Sequence, residues 1–291
     1  MDAISFQNVC KTFRKSTFTL DLPDLHIPEG YMTGFIGENG AGKTTAIKLM
    51  MNMLLPNQGN IRIFGKDVSE ASVRAEIGYV GEEMGFPNGA RLDSLIKMIR
   101  PFYPAWDQAE FSHITKRFGL TDLHQKYKDL SQGKRKQFAL ATALAHHPRL
   151  LLLDEPTANL DPLVRNEILT LLAERLEKGA LTVLFSTHIT SDLDKIADYL
   201  LFIHQGRILL QGGKDEILES HSIVKGSHEL LTEESRSCFL DCQETEFGFR
   251  AVTSRIPETR EILGREAVYE KALVEDIFLA YVKKGKDEWK S

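Results

Sequence analysis

Continuous apolar runs, each bounded by polar or glycine-containing turns, recur along much of the chain. Such runs are typical of strands that are buried on both faces of a parallel sheet. A helix is predicted directly after the first run, over Ala46–Leu55, so strand and helix alternate as they do in α/β proteins. The predicted buried strands are Tyr31–Ile36, Ile77–Val80, Leu150–Leu153 and Leu181–Phe185.

Other segments show the patterns of antiparallel pairs. Apolar and polar residues alternate over Ile4–Val9, and we expect Phe18–Leu22 to pair with this strand. Tyr199–Ile203 and Arg207–Gln211 are predicted to form a hairpin, because Gly206 lies in the turn between them. The N-terminal pair predicts an antiparallel β subdomain beside the main sheet.

A long helical pattern separates the second and third buried strands. From about residue 84 to residue 147 the apolar positions recur at helical spacing, as at Leu92, Leu95, Ile96 and Ile99. This segment predicts a helical insertion in the core sheet, and it closes with an Ala-rich helix over Gln137–Ala145.

The pattern changes again beyond about Ile217, where charged stretches separate short apolar pieces. Phe247–Val252 predicts a strand, and Val274–Val282 predicts an amphipathic helix with Ile277 and Phe278 on its apolar face. The sequence therefore predicts an α/β domain over 1–220 and a small α+β appendage over 221–291.

Length and charge limit the possible functions. A chain of 291 residues can hold one full domain and a smaller one, and its net charge of -5 argues against nucleic acid as a partner. No apolar run approaches the roughly 20 residues of a membrane span, and no export leader opens the chain, so we expect a cytoplasmic protein. Free thiols fit the three cysteines better than a metal half-site does. The cysteines are Cys10, Cys238 and Cys242.

A glycine-rich loop joins the first buried strand to its helix. Glycines let successive N–H groups converge on one anion, and the N-terminus of the helix adds a positive potential. In such loops the lysine reaches the outer phosphates and the next hydroxyl ligates Mg²⁺, which points to Lys43 and Thr44. A chance glycine-rich turn is the alternative, but the Lys-Thr pair and both flanks favour a nucleoside triphosphate site. The loop consists of Gly37, Glu38, Asn39, Gly40, Ala41, Gly42, Lys43, Thr44 and Thr45.

Polar side chains also follow the other buried strands. Asp154 and Glu155 end the strand Leu150–Leu153, and a carboxylate pair at such a strand end suits a metal ion and an attacking water. His188 ends the next strand. A lone histidine is usually structural, but this one is predicted to lie on the same side as the other polar strand ends.

Two features allow two interpretations from the residues alone. Phe13 could stack on an adenine or could pack under its own hairpin. The signature loop, Leu130–Lys134, could bind an anion at a helix N-terminus or could simply cap the helix that follows.

Together, these motifs resemble the ATP-binding cassette (ABC) family over about residues 2–220. The resemblance is carried by the order of the phosphate loop, the signature loop, Asp154-Glu155, Asn159–Asp161 and His188. It implies a phosphate-loop NTPase core with an antiparallel β subdomain and a helical insertion over about 84–147. It also implies hydrolysis of ATP with Mg²⁺.

The resemblance implies a role for each matching residue within the chain. Lys43 and the loop backbone would hold the phosphates, while Thr44 and Asp154 would hold Mg²⁺. Glu155 would be the general base, and His188 would contact the γ-phosphate and help to position water.

Other matching residues imply a dimer. In the family, Ser131 and Gly133 contact the nucleotide of a second subunit, and Asp161 crosses the interface between the two. Phe13 matches the adenine-stacking position.

The chain departs from the family pattern in two places. Gln132 and Lys134 stand in the signature loop where many members have Gly and Gln, although Ser131 and Gly133 are kept. Glu82, after the strand Ile77–Val80, stands where the family usually has Gln. A carboxylate there can ligate Mg²⁺, but it adds negative charge beside a triphosphate.

An appendage that ends in a helix such as Val274–Val282 resembles that of ATPase subunits of bacterial exporters, including those linked to drug or peptide resistance. This resemblance implies a partner permease in a separate chain, a second ATPase subunit, and a peripheral place on the inner face of the cell membrane. The rivals are a cytosolic ABC-type ATPase of translation or repair, and a non-catalytic nucleotide switch. Glu155 and His188 argue against the switch.

Overall fold

The computed structural model describes residues 1–179 and 181–288. The strands are β1 Asp2–Thr12, β2 Thr19–Pro28, β3 Met32–Ile36, β4 Gln58–Ile63, β5 Lys66–Asp67, β6 Ile77–Val80, β7 Leu150–Asp154, β8 Thr182–Thr187, β9 Tyr199–His204, β10 Arg207–Gly213, β11 Ser222–Gly226, β12 Phe239–Thr245, β13 Gly248–Thr253 and β14 Val268–Lys271. The α-helices are α1 Lys43–Met50, α2 Ala71–Ala75, α3 Leu92–Ile99, α4 Gln108–Arg117, α5 Gln132–Leu144, α6 Pro162–Glu177, α7 Thr190–Ile196, α8 Lys214–Ser220, α9 Glu233–Ser237, α10 Ile256–Leu263 and α11 Val274–Glu288.

A six-stranded sheet in the order β10-β9-β3-β8-β7-β6 forms the centre of the molecule. Its strands run parallel except for β10, which pairs antiparallel with β9 at one edge. The predicted buried strands and the predicted hairpin are therefore confirmed. β3, β8 and β7 are parallel neighbours in this order. The residues that follow them therefore lie together at the carboxyl ends of the strands.

The apolar runs are explained by burial on both faces of this sheet. Within β7, Leu150 and Leu152 join one hydrophobic cluster and Leu151 and Leu153 join the other, as the period of two requires. One cluster is completed by α1 and by a four-stranded antiparallel sheet in the order β2-β1-β4-β5. The other is completed by helices α3 to α7. The expected pairing of the first two strands is confirmed.

Several predicted helix boundaries were wrong. Helix α1 begins at Lys43 and ends at Met50, because Asn52 adopts a left-handed conformation that stops the predicted run to Leu55. The helical segment predicted from about residue 84 begins only at α3, with an irregular stretch before it. Helix α5 begins at Gln132 instead of residue 137, because the Ser131 hydroxyl accepts a hydrogen bond from the Lys134 N–H and caps it.

The C-terminal part forms a four-stranded antiparallel sheet in the order β12-β13-β11-β14, and it contains the strand and the helix that the sequence predicts. Its long helix, α11, also packs on the first domain, where Ile277 and Phe278 join the larger hydrophobic cluster. The ring of Phe278 meets that of Phe202 edge to face, with centroids 5.5 Å apart. Cys10, Cys238 and Cys242 are free thiols, and Cys238 is buried. Across the described residues, we find no helix that is both long and apolar enough to span a membrane.

Candidate active site

The phosphate loop connects β3 to α1, as predicted, and two of its glycines are required by the local geometry. A Cβ on Gly37 would lie 2.6 Å from the Ile203 carbonyl oxygen, so no side chain fits there. Gly42 has a φ of 115°, which strains any residue with a side chain. Gly206, in the β9–β10 turn, donates its N–H to the Ala41 carbonyl and so fixes the loop from outside.

Lys43 is buried at the floor of the loop. Its ammonium donates to the carbonyl oxygens of Gly37 at 2.6 Å and of Glu38 at 3.3 Å. It also lies 3.2 Å from the Glu155 carboxylate, and both side chains are less than 10% exposed. The loop, the lysine and the carboxylate at the end of β7 therefore form one connected unit.

Asp154 is held from two sides. Its Oδ2 accepts from the Thr44 hydroxyl at 2.8 Å, and its Oδ1 accepts from the Ser186 hydroxyl at 3.0 Å. The side chain is almost fully buried. Thr44 and Asp154 thus present oxygens side by side at the start of α1, and oxygen ligands are those that Mg²⁺ prefers.

Glu155 leaves the strand with a left-handed φ of 49°, which few residues with a side chain adopt. Its N–H donates to the Ser186 carbonyl, and its Oε2 lies 2.9 Å from Nδ1 of His188. The histidine ring is about half exposed, whereas the carboxylate is buried. A strained backbone that aims a buried carboxylate at a half-exposed histidine is an arrangement typical of functional sites.

A buried hydrogen-bond network holds the segments that carry Glu155 and His188. The fully buried carboxylate of Asp192, on α7, accepts from the Thr157 hydroxyl at 2.7 Å and from the Arg165 guanidinium. Thr157 follows Glu155 by two residues, and α7 follows His188. Asp192 links the segment after Glu155 to the segment after His188. It therefore helps to fix the Glu155 carboxylate and the His188 ring relative to each other.

Lys43, Thr44, Glu155 and His188 line a cavity of about 470 Å³. Glu82 lies in its wall, as does Asn159 from the loop before α6. The aromatic residue in the wall is Phe18, whereas Phe13 lies beside it with ring centroids 6.5 Å apart. The role of Phe13 at an adenine stays a prediction, and Phe18 is the aromatic side chain nearer to the loop.

Two of the three residues that the resemblance assigns to contacts with a second subunit are helix caps. Ser131 caps α5, and Asp161 caps α6 by accepting from the N–H groups of Leu163 and Val164. A Cβ on Gly133 would lie 3.1 Å from the Val164 side chain, so glycine lets these two helix starts approach closely. The cap predicted as an alternative at the signature loop is present, and it leaves the anion-binding role open.

Sequence reasoning missed several residues of this site. Ser186 lies two positions before His188, but nothing in its pattern shows that its hydroxyl turns to Asp154. Asp192 lies in α7, which begins two residues after His188, and no sequence pattern shows that its carboxylate meets Thr157 and Arg165. Phe18 was read only as part of a strand.

Comparison with known proteins indicates the same family as the sequence motifs do. Residues 20–158 match the family model described as ABC transporter. The daunorubicin/doxorubicin resistance ATP-binding protein DrrA of Streptomyces peucetius is 32% identical over 224 residues, or 75% of this chain and 67% of that protein. The uncharacterized ABC transporter ATP-binding protein YhaQ of Bacillus subtilis (strain 168) is 29% identical and covers 96% of this chain and 98% of its own length.

A solved structure of an ATP binding subunit of an ABC transporter superimposes with a TM-score of 0.66. It is 26% identical in sequence and covers 75% of this chain and 92% of its own. The fold, the phosphate loop and the similar proteins all indicate the same family. The chain belongs to the ABC transporter family and is one of its ATP-hydrolysing subunits.

Proposed function

We propose that the cavity holds Mg-ATP and that its hydrolysis drives a permease carried on a separate polypeptide. The observation that carries the chemistry is the contact between Lys43, Glu155 and His188 on the cavity floor. Phosphoryl transfer requires groups that are placed in advance around developing charge, and these side chains are held by a buried network.

Each residue has a part in this chemistry. Glu155 accepts a proton from the attacking water, and His188 steadies that carboxylate and the γ-phosphate. Lys43, which already neutralises Glu155, is shared with the outer phosphates. Thr44, Asp154 and Glu82 would hold Mg²⁺, which neutralises charge on the phosphates when bound. The oxygens of Thr44 and Asp154, 2.8 Å apart, suit this ion.

A second copy or a related subunit completes the site. Among the described residues, those that line the chain's own cavity do not include Ser131, Gly133 or Asp161. Ser131 and Asp161 are exposed at the start of two adjacent helices. This placement supports a head-to-tail dimer in which the signature loop of one subunit covers the nucleotide of the other.

The permease is proposed to dock beside Glu82. A groove of about 480 Å³ there is lined by Glu82, Glu83, Met84 and Phe86, together with part of α5. The ring of Phe86 packs edge to face on Phe138, with centroids 6.0 Å apart, so it forms the floor. Glu83 is exposed at the rim. Glu83→Arg should reduce co-purification with the permease from detergent-solubilised membranes, whereas Glu261→Arg on the appendage should not.

The names of relatives support an exporter. One is named for daunorubicin and doxorubicin resistance, and another, from Enterococcus faecalis, for bacitracin transport. We infer that the chain serves a bacterial export system and lies peripherally at the inner face of the membrane, bound to the permease. A cytosolic ATPase without a permease would instead stay out of the membrane fraction of the cells that express it.

The catalytic proposal is tested by Glu155→Gln. An amide keeps the shape of the side chain but cannot accept the proton, so turnover should fall by about 10²- to 10⁴-fold. ATP binding should persist, and light scattering should show a dimer trapped with ATP and Mg²⁺. Glu174→Gln, at an exposed ion pair with Arg117, is the matched control. Wild-type hydrolysis by the Glu155 variant would overturn the assignment.

A further inference from the structure

One buried cation near the site has no role in the chemistry described above. Lys136 lies on α5 and is only 5% exposed. Its ammonium donates to the carbonyl oxygen of Gly81 at 2.8 Å, directly after β6 and directly before Glu82. The side chain therefore joins the helix of the signature loop to the segment that carries the unusual carboxylate.

The surroundings of this ammonium are acidic. Burial lowers the pKa of Lys136, and the nearby carboxylates of Asp154, Glu82, Glu155 and Glu83 act against that change. Two of these follow β6, and two end β7. The ammonium thus lies within electrostatic range of carboxylates from the ends of two neighbouring strands.

A neutral donor could satisfy a single carbonyl oxygen. Burying a full charge instead costs a large desolvation free energy, which is offset only when opposite charges lie close by. The neighbouring Arg135 offers a contrast, because it donates to the carbonyl oxygens of Tyr127 and Lys128 and is less buried. The carboxylates therefore offset part of the desolvation cost of Lys136, and the Gly81 carbonyl accepts its hydrogen bond.

We propose that Lys136 is a positioning residue of the nucleotide site, a fixed cation whose hydrogen bond to the Gly81 carbonyl holds the segment that carries Glu82 and whose charge offsets the negative charge of this segment beside a triphosphate. This inference rests on the proposed binding of Mg-ATP. Through α5, the same side chain links the state of the Glu82 segment to the signature loop. Replacing it should matter most when no divalent cation neutralises the phosphates.

The test measures ATP affinity by calorimetry on the purified full chain, with Mg²⁺ or with EDTA. Lys136→Gln keeps a hydrogen-bond donor for Gly81 but removes the charge. It should weaken metal-free ATP by about tenfold and Mg-ATP by less than about threefold, because Mg²⁺ screens the same repulsion. Adding Glu82→Gln to this variant should restore much of the lost metal-free affinity.

The controls separate positioning from simple packing. Arg135→Gln should leave the ratio of metal-free to Mg-ATP affinity unchanged. Equal losses for both forms of ATP in Lys136→Gln, or no recovery from Glu82→Gln, would overturn the proposal. If the wild-type chain bound no Mg-ATP at all, the proposed function itself would fail.

A second variant covers the case in which Lys136→Gln does not fold. Glu82→Gln alone leaves Lys136 facing fewer negative charges. Metal-free ATP should then bind more tightly than to wild type, with a smaller gain on adding Mg²⁺. Unchanged affinity for both forms of ATP in this variant would contradict the proposal as well.

Discussion

Two lysine–glutamate pairs in this molecule have similar geometry and opposite surroundings. Lys43 and Glu155 lie 3.2 Å apart at the phosphate loop, with side chains 6% and 9% exposed. Lys225 and Glu270 lie 2.7 Å apart on the appendage sheet, with side chains 44% and 46% exposed. The shorter contact belongs to the more exposed pair, so distance is a poor guide to what each pair contributes.

Solvent decides the difference. Water and salt screen the exposed pair, and fixing two long side chains costs entropy, so such pairs contribute little. In the buried pair each charge depends on the other, because neither can be solvated by water. The stability of the active-site region therefore depends on each member of the buried pair. The appendage should tolerate the loss of either member of its exposed pair.

The strongest test of this contrast is Lys43→Met. Without the ammonium, Glu155 is left as a buried carboxylate whose remaining ion-pair partner among the described residues is His188. We expect the free energy of unfolding to fall by about 3 to 5 kcal/mol, measured by urea denaturation at neutral pH. A loss below about 1 kcal/mol would show that water reaches this pair.

A second test removes the link between the two regions. Phe278→Ala takes an almost fully buried ring out of the first domain's hydrophobic cluster, where it packs on Phe202. We expect a loss of about 3 kcal/mol and a single unfolding transition. Leu279→Ala, on the exposed side of the same helix, is the control. A transition that involves the appendage alone would show that α11 is not part of the main core.

Titration extends the contrast to histidines. Burial lowers the pKa of His146, which stacks on Tyr103, to about 4. The unfolded chain, with a histidine pKa near 6.5, therefore binds a proton between these values when the fold does not. Stability from this group is complete above about pH 6.5 and is lost as the pH falls towards 4, by about 2 kcal/mol at pH 5.

His146→Phe should remove this share of the acid sensitivity, as measured by urea denaturation at pH 7 and pH 5. Replacement of His228, which is about half exposed on the appendage, should not. If both variants lose stability in acid as the wild type does, His146 is not the group responsible.

The smallest effect is expected for Lys225→Met. Its partner Glu270 remains solvated, so the free energy of unfolding should change by no more than about 0.5 kcal/mol. The measurement is the same denaturation series that is used for Lys43→Met. A change comparable to that of the buried pair would end the comparison.

The sequence was informative wherever a pattern repeats or a motif has fixed spacing. The apolar runs predicted the central strands, and the motif spacing predicted that the phosphate loop, Asp154, Glu155 and His188 lie on one side of the sheet, where the structure has them. The start of α5 was misjudged, because the Ser131 cap depends on one hydroxyl and no periodic pattern reveals it.

Contacts between distant segments were beyond prediction. Lys136 looks in the sequence like one of several basic residues near the signature loop, and only the fold brings it to Gly81. Likewise, the amphipathic pattern of α11 predicts a buried face but does not say which domain covers it. Phe18 and Asp192 were missed for the same reason.

The order of the central sheet also has a consequence for synthesis of the chain. β3, which leads into the phosphate loop, pairs with β8 and β9, and the turn that fixes the loop contains Gly206. The loop is thus among the first parts of the chain to leave the ribosome, and its sheet neighbours are among the last parts of the first domain. A nascent chain that ends before Gly206 lacks the turn that fixes the loop, so ATP can first stabilise the fold only when translation of that domain is nearly complete.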